Sequence, residues 1–387
     1  MKKLLLIIVL CLSFIILTAF KIENYDNDIL STDSKSAVLL EPTTMEVIYE
    51  RNPHLELAPA SMTKIMTMLL VMESLENNIL SLDQKLTASE YATKMGGTQI
   101  YLEVGEEMTV KDLLKSVAVG SANDASVVLA EGISGSVENF VNLMNKKANE
   151  LGLEHTNFKN PNGLPEEGHY SCAMDMAVLS AYLINNYSEI LDYTSIYEDY
   201  VREDSKKRFW LVNKNKLIKF VEGVDGLKTG WTNEAGYCLT ATMKKNNIRM
   251  IAVAMGCSDP TIRNKEVSNM LNYGVNNYEL ISLYKEGDIV ETYQNIDLLP
   301  TTYHIIVTKD VNILKKKGED IGEIKSEKLI NFNNIDGINN SNIGKISIYI
   351  GDSLYQEVNL ELLENVKKAS FLDVFLEIVK DIFLISK

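Results

Sequence analysis

The stretch Ala58-Pro-Ala-Ser-Met-Thr-Lys-Ile-Met-Thr-Met-Leu-Leu70 decides the fold of this chain. Its start at Pro59 predicts the N-terminus of an apolar helix that runs on through Met72. Residues three apart share a helix face, so Lys64 can direct its amine at the Ser61 hydroxyl. Because a serine hydroxyl is a weak nucleophile without a nearby base, the stretch predicts a serine nucleophile with a lysine base.

A lysine serves as a base only when its pKa lies well below the ordinary value. Burial and a neighbouring cation both lower the pKa of a lysine, and Lys228 is the candidate for that cation. The helix N-terminus also favours the negative charge that develops at Ser61. We therefore expect Lys64 to be buried near a second lysine.

Two further strings follow in the chain, Ser121-Ala-Asn123 and Lys228-Thr-Gly230. Each is weak evidence alone, since Ser and Asn often cap helices and a Lys-Thr-Gly string also suits the end of an edge strand. Even the first motif has a chance duplicate, Ser282-Leu-Tyr-Lys285, which opens no apolar helix. The three strings in this order are typical of acyl-serine enzymes that use no histidine.

The surrounding sequence predicts an α+β fold, with helices packed on an antiparallel sheet. A hairpin is predicted over 36–50, and a second group of hairpin strands is predicted past Phe220. The predicted strands of that second group are 226–230, 237–243 and 249–256. The predicted helices are 112–116, 125–131, 137–151, 175–185 and 262–278.

Composition changes divide the chain into four predicted segments. Residues 1–24 read as a secretory signal, with an uncleaved anchor as the alternative, and 25–283 as the catalytic domain. Residues 284–360 are predicted to form a small β-rich domain. In 361–387 a helix is predicted with a charged stripe and a wide apolar face, which favours a membrane-surface anchor over a domain-packing helix. The stripe contains Asp373, Glu377, Lys380 and Asp381.

Composition also excludes several classes of function. A net charge of -15 and a pI near 4.9 argue against a nucleic-acid partner. The four histidines show no ligand spacing, so we expect no metal and no cofactor. Cys172, Cys238 and Cys257 are interpreted as buried thiols, with a Cys238–Cys257 bridge as the alternative.

With these motifs, the chain resembles the low-molecular-weight penicillin-binding proteins, the serine-type D-alanyl-D-alanine carboxypeptidases, from Ala37 to Leu283. The resemblance also rests on these further strings: Gly96-Gly-Thr98, Asn160-Pro-Asn-Gly-Leu164, His169-Tyr-Ser171 and Asp225-Gly-Leu-Lys-Thr-Gly-Trp-Thr232. It implies an exported enzyme at the outer face of the cytoplasmic membrane that removes the terminal D-alanine of peptidoglycan stem peptides. β-Lactams would acylate it.

The resemblance also implies roles for individual residues. Ser61 would be the nucleophile and Lys64 its base, while Ser121 relays a proton and Asn123 holds a substrate amide. On the strand, the substrate carboxylate and backbone would meet these residues: Lys228, Thr229, Gly230, Trp231 and Thr232. The backbone N–H groups of Ser61 and Trp231 would form the oxyanion hole. Met174 and Cys172 depart from the family pattern, in which Arg and Ser or Thr are common.

Two alternatives remain open on the sequence. A serine β-lactamase shares the three motifs but needs a carboxylate that activates the deacylating water, and Glu166 and Glu167 lack the usual flanking string. A catalytically idle penicillin-binding sensor would keep the motifs without turnover.

Overall fold

The computed structural model describes residues 30–203, 205–331 and 343–384. The predicted signal, 1–24, lies outside the described residues. Within them, no helix has the length and apolar character needed to cross a membrane.

The strands and helices follow in chain order. The strands are β1 (Ser36–Glu41), β2 (Glu46–Arg51), β3 (Lys85–Thr87), β4 (Glu107–Thr109), β5 (Glu198–Val201), β6 (Phe209–Val212), β7 (Val224–Thr232), β8 (Gly236–Lys245), β9 (Ile248–Cys257), β10 (Tyr278–Tyr284), β11 (Ile289–Gln294), β12 (Leu298–Leu299), β13 (Thr302–Val307), β14 (Val311–Lys316), β15 (Ile324–Ile330), β16 (Gly344–Ile350), β17 (Ser353–Leu362) and β18 (Lys367–Lys368). The helices are α1 (Lys64–Glu76), α2 (Glu90–Thr93), α3 (Val110–Lys115), α4 (Asn123–Ser134), α5 (Val137–Glu150), α6 (Ala173–Asn186), α7 (Leu191–Thr194), α8 (Leu217–Phe220), α9 (Pro260–Asn277) and α10 (Phe371–Leu384).

The central sheet is antiparallel and has the strand order β2-β1-β9-β8-β7. Strands β8 and β9 are joined by Asn246 and Asn247, which both have positive φ, as a two-residue hairpin turn requires. Side chains along β1 alternate between two cores, since Val38 belongs to the core that includes residues of α1 and α6 and Leu39 to the core that includes residues of α9. The predicted α+β fold is therefore confirmed, and β7 forms an outer edge of the sheet.

Helix α1 lies inside the helical part of the molecule. Ten of its thirteen residues are buried, which explains why its sequence is apolar all round. The helical chain extends beyond the predicted helix 112–116, because α3 is followed directly by one π turn, Ser116–Gly120. Ser121 ends that turn with a φ of 62°, a left-handed conformation that costs a non-glycine residue about 1–2 kcal/mol.

The C-terminal part is a β unit with its own apolar core. Its main sheet has the order β11-β13-β17-β16-β15, and β10 pairs with β14 beside it. Helix α9 ends at Asn277 and β10 begins at the next residue, so the predicted boundary at Leu283 falls inside a strand. Asp259 caps α9 and Pro260 occupies its first turn, which starts the helix two residues before the predicted Ile262.

The tail helix is shorter than the segment predicted for it. Residues from 361 first complete β17 and form β18, and α10 begins at Phe371. Ser370 and Asp373 exchange hydrogen bonds at this start, because the carboxylate accepts from the Ser370 N–H at 2.9 Å and the Ser370 hydroxyl accepts from the Asp373 N–H at 3.3 Å. Its exposed apolar residues are Phe371, Leu372, Phe375, Leu376 and Ile378.

Candidate active site

Ser61 lies on a short 3-10 turn directly before α1. Two glycines let neighbouring segments press against this turn. A Cβ at Gly230 would lie 2.7 Å from the carbonyl oxygen of Pro59, and a Cβ at Gly163 would lie 1.9 Å from that of Ala60. Any larger residue at either position would push the turn away, so both glycines fix the place of the nucleophile.

The Ser61 side chain lines a cleft of about 1000 Å³ between the helices and strand β7. Residues of three predicted motifs line the same cleft: Ser61, Ser121, Asn123, Thr229, Gly230, Trp231 and Thr232. The structure thus brings together positions that are more than 160 residues apart in the sequence.

Lys64 makes three contacts with its amine. Nζ lies 3.1 Å from Ser61 Oγ, 2.7 Å from Asn123 Oδ1 and 2.6 Å from the backbone oxygen of Asn162. The side chain is fully buried. Burial, followed by the charges of Lys228 and Lys214, holds the pKa of Lys64 well below its usual value, although the Asp124 carboxylate opposes this. A neutral amine beside the hydroxyl is a general base in position.

Ser121 does not cap the helix that follows it. The N-cap of α4 is Ala122, which has no side chain able to cap, so helix capping does not account for Ser121. Instead the π turn and the left-handed backbone place the nearly buried Ser121 at the cleft. Backbone strain and π turns occur often at functional sites.

Asn123 connects the base to a loop of the cleft wall. Its Oδ1 accepts from Lys64, and its Nδ2 donates to the backbone oxygen of Gly96 at 2.7 Å. One hydrogen bond at each end leaves the second Oδ1 lone pair and the second Nδ2 hydrogen of the amide, so the predicted substrate contact stays a prediction. In this structure Asn123 orients Lys64 and holds the loop.

Lys228 belongs to the strand side of the cleft. It is 3% exposed, and its Nζ lies 3.3 Å from the backbone oxygen of Thr229. Burial lowers the pKa of Lys228 to about 7, with the charges of Lys214 and Arg263 adding to the effect. The residue therefore titrates near neutral pH and supplies the neighbouring positive field that the sequence analysis required for Lys64.

The sequence analysis missed several residues that build the site. The fully buried Asp124 accepts hydrogen bonds from the backbone N–H groups of Ile100 and Leu102 at 3.1 Å. Asp124 thereby holds one end of the loop 96–102, and Asn123 holds the other end through the Gly96 oxygen. The local sequence carries no signal for this role, because it depends on contacts more than 20 residues away.

Three cations at the cleft were also missed, Lys214, Lys216 and Arg263. Lys214 donates to Thr98 Oγ1 at 3.0 Å. The buried Asn213 and Asn215 on either side of it donate to the backbone oxygens of other segments, which holds Lys214 toward the cleft. The alternating Asn-Lys-Asn-Lys string at 213–216 is the one signal that pointed to this arrangement.

His169 has a structural place behind the nucleophile. Its Nδ1 accepts the backbone N–H of Lys159 at 3.2 Å, so Nε2 carries the proton and donates to Thr63 Oγ1 at 2.8 Å. Burial lowers the pKa of His169 to about 4, so the ring is neutral at physiological pH. It ties the 157–170 segment to the turn of Ser61.

Cys172, Cys238 and Cys257 are free and buried, so the alternative Cys238–Cys257 bridge is not formed. Cys172, where relatives often carry Ser or Thr, still caps α6, since its Sγ accepts from the Asp175 N–H at 3.4 Å. Glu166, the carboxylate considered for a β-lactamase, accepts from Asn160 at 3.0 Å and lines a small adjoining pocket rather than the main cleft.

Comparisons with known proteins agree with this geometry. The family model for D-alanyl-D-alanine carboxypeptidase matches residues 23–259. D-alanyl-D-alanine carboxypeptidase DacF of Bacillus subtilis is 48% identical over 344 residues, which are 89% of this chain and 88% of that protein. DacA of Haemophilus influenzae is 34% identical over 71% of each chain.

Solved structures show the same architecture. Penicillin binding protein 5 from Haemophilus influenzae matches with a TM-score of 0.73 at 29% identity, covering 87% of this chain and 98% of that one. Penicillin-binding protein D2 from Listeria monocytogenes, in an ampicillin-bound form, matches with a TM-score of 0.56 at 30% identity, covering 65% of this chain and 99% of that one.

Proposed function

This chain belongs to the D-alanyl-D-alanine carboxypeptidase family, and we propose that it removes the terminal D-alanine of peptidoglycan stem peptides through an acyl-enzyme on Ser61. The observation that carries the residue assignment is the buried Lys64 amine, 3.1 Å from Ser61 Oγ and held by Asn123 and Asn162. The low pKa of Lys64 makes its neutral form available.

In acylation, neutral Lys64 takes the Ser61 proton while Oγ bonds to the carbonyl carbon of the penultimate D-alanine. The C–N bond to the terminal D-alanine then breaks, and the leaving nitrogen receives the proton through Ser121. Water next attacks the ester, and Ser61 regains a proton as the shortened peptide leaves. Lys64 acts as base in both halves, because the neutral amine donates its two N–H groups to Asn123 Oδ1 and the Asn162 backbone oxygen and keeps its lone pair for the Ser61 hydroxyl.

The substrate would lie along the open edge of β7. Its terminal carboxylate would meet Thr229 within the positive field of Lys228, Lys214 and Arg263. The carbonyl oxygen would accept from the backbone N–H groups of Ser61 and Trp231. Each donor of such an oxyanion hole contributes about 3 kcal/mol to catalysis.

The experiment measures D-alanine release from Nα,Nε-diacetyl-Lys-D-Ala-D-Ala by the full chain in mild detergent, beside Ser61→Ala. Steady release that vanishes in the variant supports the proposal. Labelling of Ser61 by a fluorescent penicillin without any release would instead point to an idle sensor. Rapid turnover of the penicillin would point to a β-lactamase.

We also propose that the enzyme is exported and that α10 binds the outer face of the cytoplasmic membrane. Five apolar residues of α10 are exposed, with Phe371 at 88%, and the capping at Ser370 stabilises the start of the helix. Because the predicted stripe is mainly acidic, apolar area rather than charge would supply the binding. β-Lactams are proposed as acylating inhibitors, with no metal or cofactor required.

A flotation assay with vesicles of neutral phospholipid tests the membrane proposal. The chain without residues 1–24 should float with the vesicles, and its double variant Phe371→Ser with Phe375→Ser should not, because the two substitutions remove both aromatic rings from the apolar face of α10. Leu329→Ser is the matched control, since that exposed residue lies on β15. Equal flotation of all three proteins would argue against α10 as the anchor.

A further inference from the structure

The cleft carries charges of opposite sign in different places. Lys214, Lys216 and Arg263 line it, and the charges of Lys214 and Arg263 reach Lys228. Glu234, in the turn after β7, lines the cleft as well, and it also lines a small adjoining pocket together with Glu166. Positive charge therefore gathers near Lys228, and negative charge lies past Thr232.

The direction of the substrate follows from the proposed function, on which this inference rests. If the terminal carboxylate lies at Lys228 and Thr229, the peptide runs antiparallel to β7. Its upstream residues then extend past Gly230 toward Trp231 and the 232–234 turn, at about 3.3 Å per residue. The side chain that precedes the D-Ala-D-Ala pair thus reaches the negative part of the cleft.

An aromatic surface lies along that path. The Trp231 side chain is 55% exposed, and its ring centroid lies 6.0 Å from that of Tyr237, which also lines the cleft. An exposed indole beside a cleft offers apolar contact to methylene groups and attraction to a cation above its face.

The carboxylates beyond it have no cation to neutralise them. Within the described residues, neither Glu234 nor Glu166 has an ion-pair partner within 4.0 Å. His169 lines the same small pocket, but both its ring nitrogens are engaged and the ring is neutral. This end of the cleft is therefore anionic while it is empty of substrate.

We propose that Trp231 and Glu234 bind the side chain of the residue that precedes the D-Ala-D-Ala pair, and that they select a side chain with a protonated amine, as a diamino acid has. The methylene groups pack on the indole, and the ammonium group lies beside the Glu234 carboxylate. Glu166 adds negative potential from the small adjoining pocket that Glu234 also lines. The enzyme thus distinguishes a free amine from an acylated one at this position.

The test compares kcat/KM for two peptides that differ only at the side-chain amine, Nα-acetyl-Lys-D-Ala-D-Ala and Nα,Nε-diacetyl-Lys-D-Ala-D-Ala, with the full chain in mild detergent. The wild type should prefer the free amine about fivefold, the size expected of a partly exposed ion pair with a cation–π contact. In Glu234→Gln this preference should fall to near one. It should also shrink at high salt, because exposed charge pairs are screened.

Glu50→Gln is the matched control, because Glu50 is exposed on β2, the strand at the far edge of the sheet from β7. This variant should keep the wild-type preference. Equal use of both peptides by the wild type, or a preference that survives in Glu234→Gln, would overturn the inference while leaving the proposed function intact. Release from neither peptide would overturn the proposed function itself.

Discussion

The part of the chain that carries the cleft and the C-terminal β unit bury different kinds of residue. Residues 30–277 bury several charged side chains, among them Lys64, Lys228 and Asp124. In the described residues of the β unit, 278–331 and 343–368, the buried residues are apolar or aromatic. Its ion pairs, such as Lys345 with Glu357, lie at the surface.

This difference shows that the part with the cleft retains buried charges that lower its stability but serve its chemistry. A buried charge is unfavourable unless partners compensate for it, so a sequence under selection for stability alone would avoid Lys64 and Lys228. Not every buried charge is catalytic, however. Glu266 accepts backbone N–H groups from Thr32 and Asp33 at 2.5 and 2.6 Å, and so clamps the segment before β1 to α9.

The largest effect should come from Ser61→Ala, which removes the nucleophile from the cleft. We expect kcat/KM for D-alanine release to fall by at least about 10⁴-fold, since the parts of a nucleophilic site act as a unit. The free energy of unfolding should change little, because Ser61 is only partly buried. Steady-state assays of D-alanine release measure kcat/KM, and urea unfolding measures the free energy of unfolding. Release by the variant within tenfold of wild type would contradict Ser61 as the nucleophile.

The opposite behaviour is expected in the β unit for Ile346→Ala. Ile346 is fully buried in the apolar core, so the cavity should cost about 3 kcal/mol of unfolding free energy. The value of kcat/KM should stay within twofold of wild type at 25 °C, because the residue lies outside the cleft. A fall in kcat/KM that matches the loss of stability would mean that the active site depends on the apolar core of the β unit.

A smaller effect should appear in the pH dependence of stability through Lys228. The folded-state pKa is about 7, below the unfolded value of 10.5, so between these pH values the unfolded chain binds the proton that the folded chain releases. Stability due to this residue therefore rises with pH above about 7 and is lost on lowering the pH toward 7. From pH 7 to pH 9 the wild type should gain about 2 kcal/mol relative to Lys228→Met.

Urea unfolding of both proteins at the two pH values measures this difference. The variant keeps Lys64 and the other titrating groups, so the subtraction gives the effect of Lys228 together with the effect of its charge on Lys64. Parallel curves for the two proteins would show that Lys228 keeps an ordinary pKa.

The smallest effect should come from Lys345→Ala, which breaks an exposed ion pair of 3.1 Å in the β unit. Exposed pairs contribute about 0.5 kcal/mol or less, and salt screens them. Thermal unfolding should show a small decrease in Tm at low salt and a smaller one at high salt, because salt already weakens the pair in the wild type. A loss above about 1 kcal/mol would mean that surface charge matters in the β unit as much as buried charge does near the cleft.

Much of the fold could be predicted because its signals are local. The hairpin of β8 and β9 is indicated by the consecutive turn residues Asn246 and Asn247, and α1 is indicated by a long apolar run after Pro59. The π turn before Ser121 was not predicted, since a local pattern does not distinguish it from the end of a helix. The direct passage from α9 into β10 was missed for the same reason.

The site divides in a similar way. The motif residues could be predicted because each string carries its own chemistry. Lys214, Arg263 and the carbonyl of Asn162 reach the cleft only through contacts between distant segments, such as the 98 residues that separate Asn162 from Lys64. Sequence periodicity holds no information about such contacts.

The place of β7 at the edge of the sheet has a consequence for self-association. An outer strand presents unpaired backbone groups, the surface through which sheet proteins join to copies of themselves. Here the edge lies in a cleft, with Gly230 pressed against the turn of Ser61. The turn of Ser61 therefore covers part of the strand edge with which a second copy could otherwise pair.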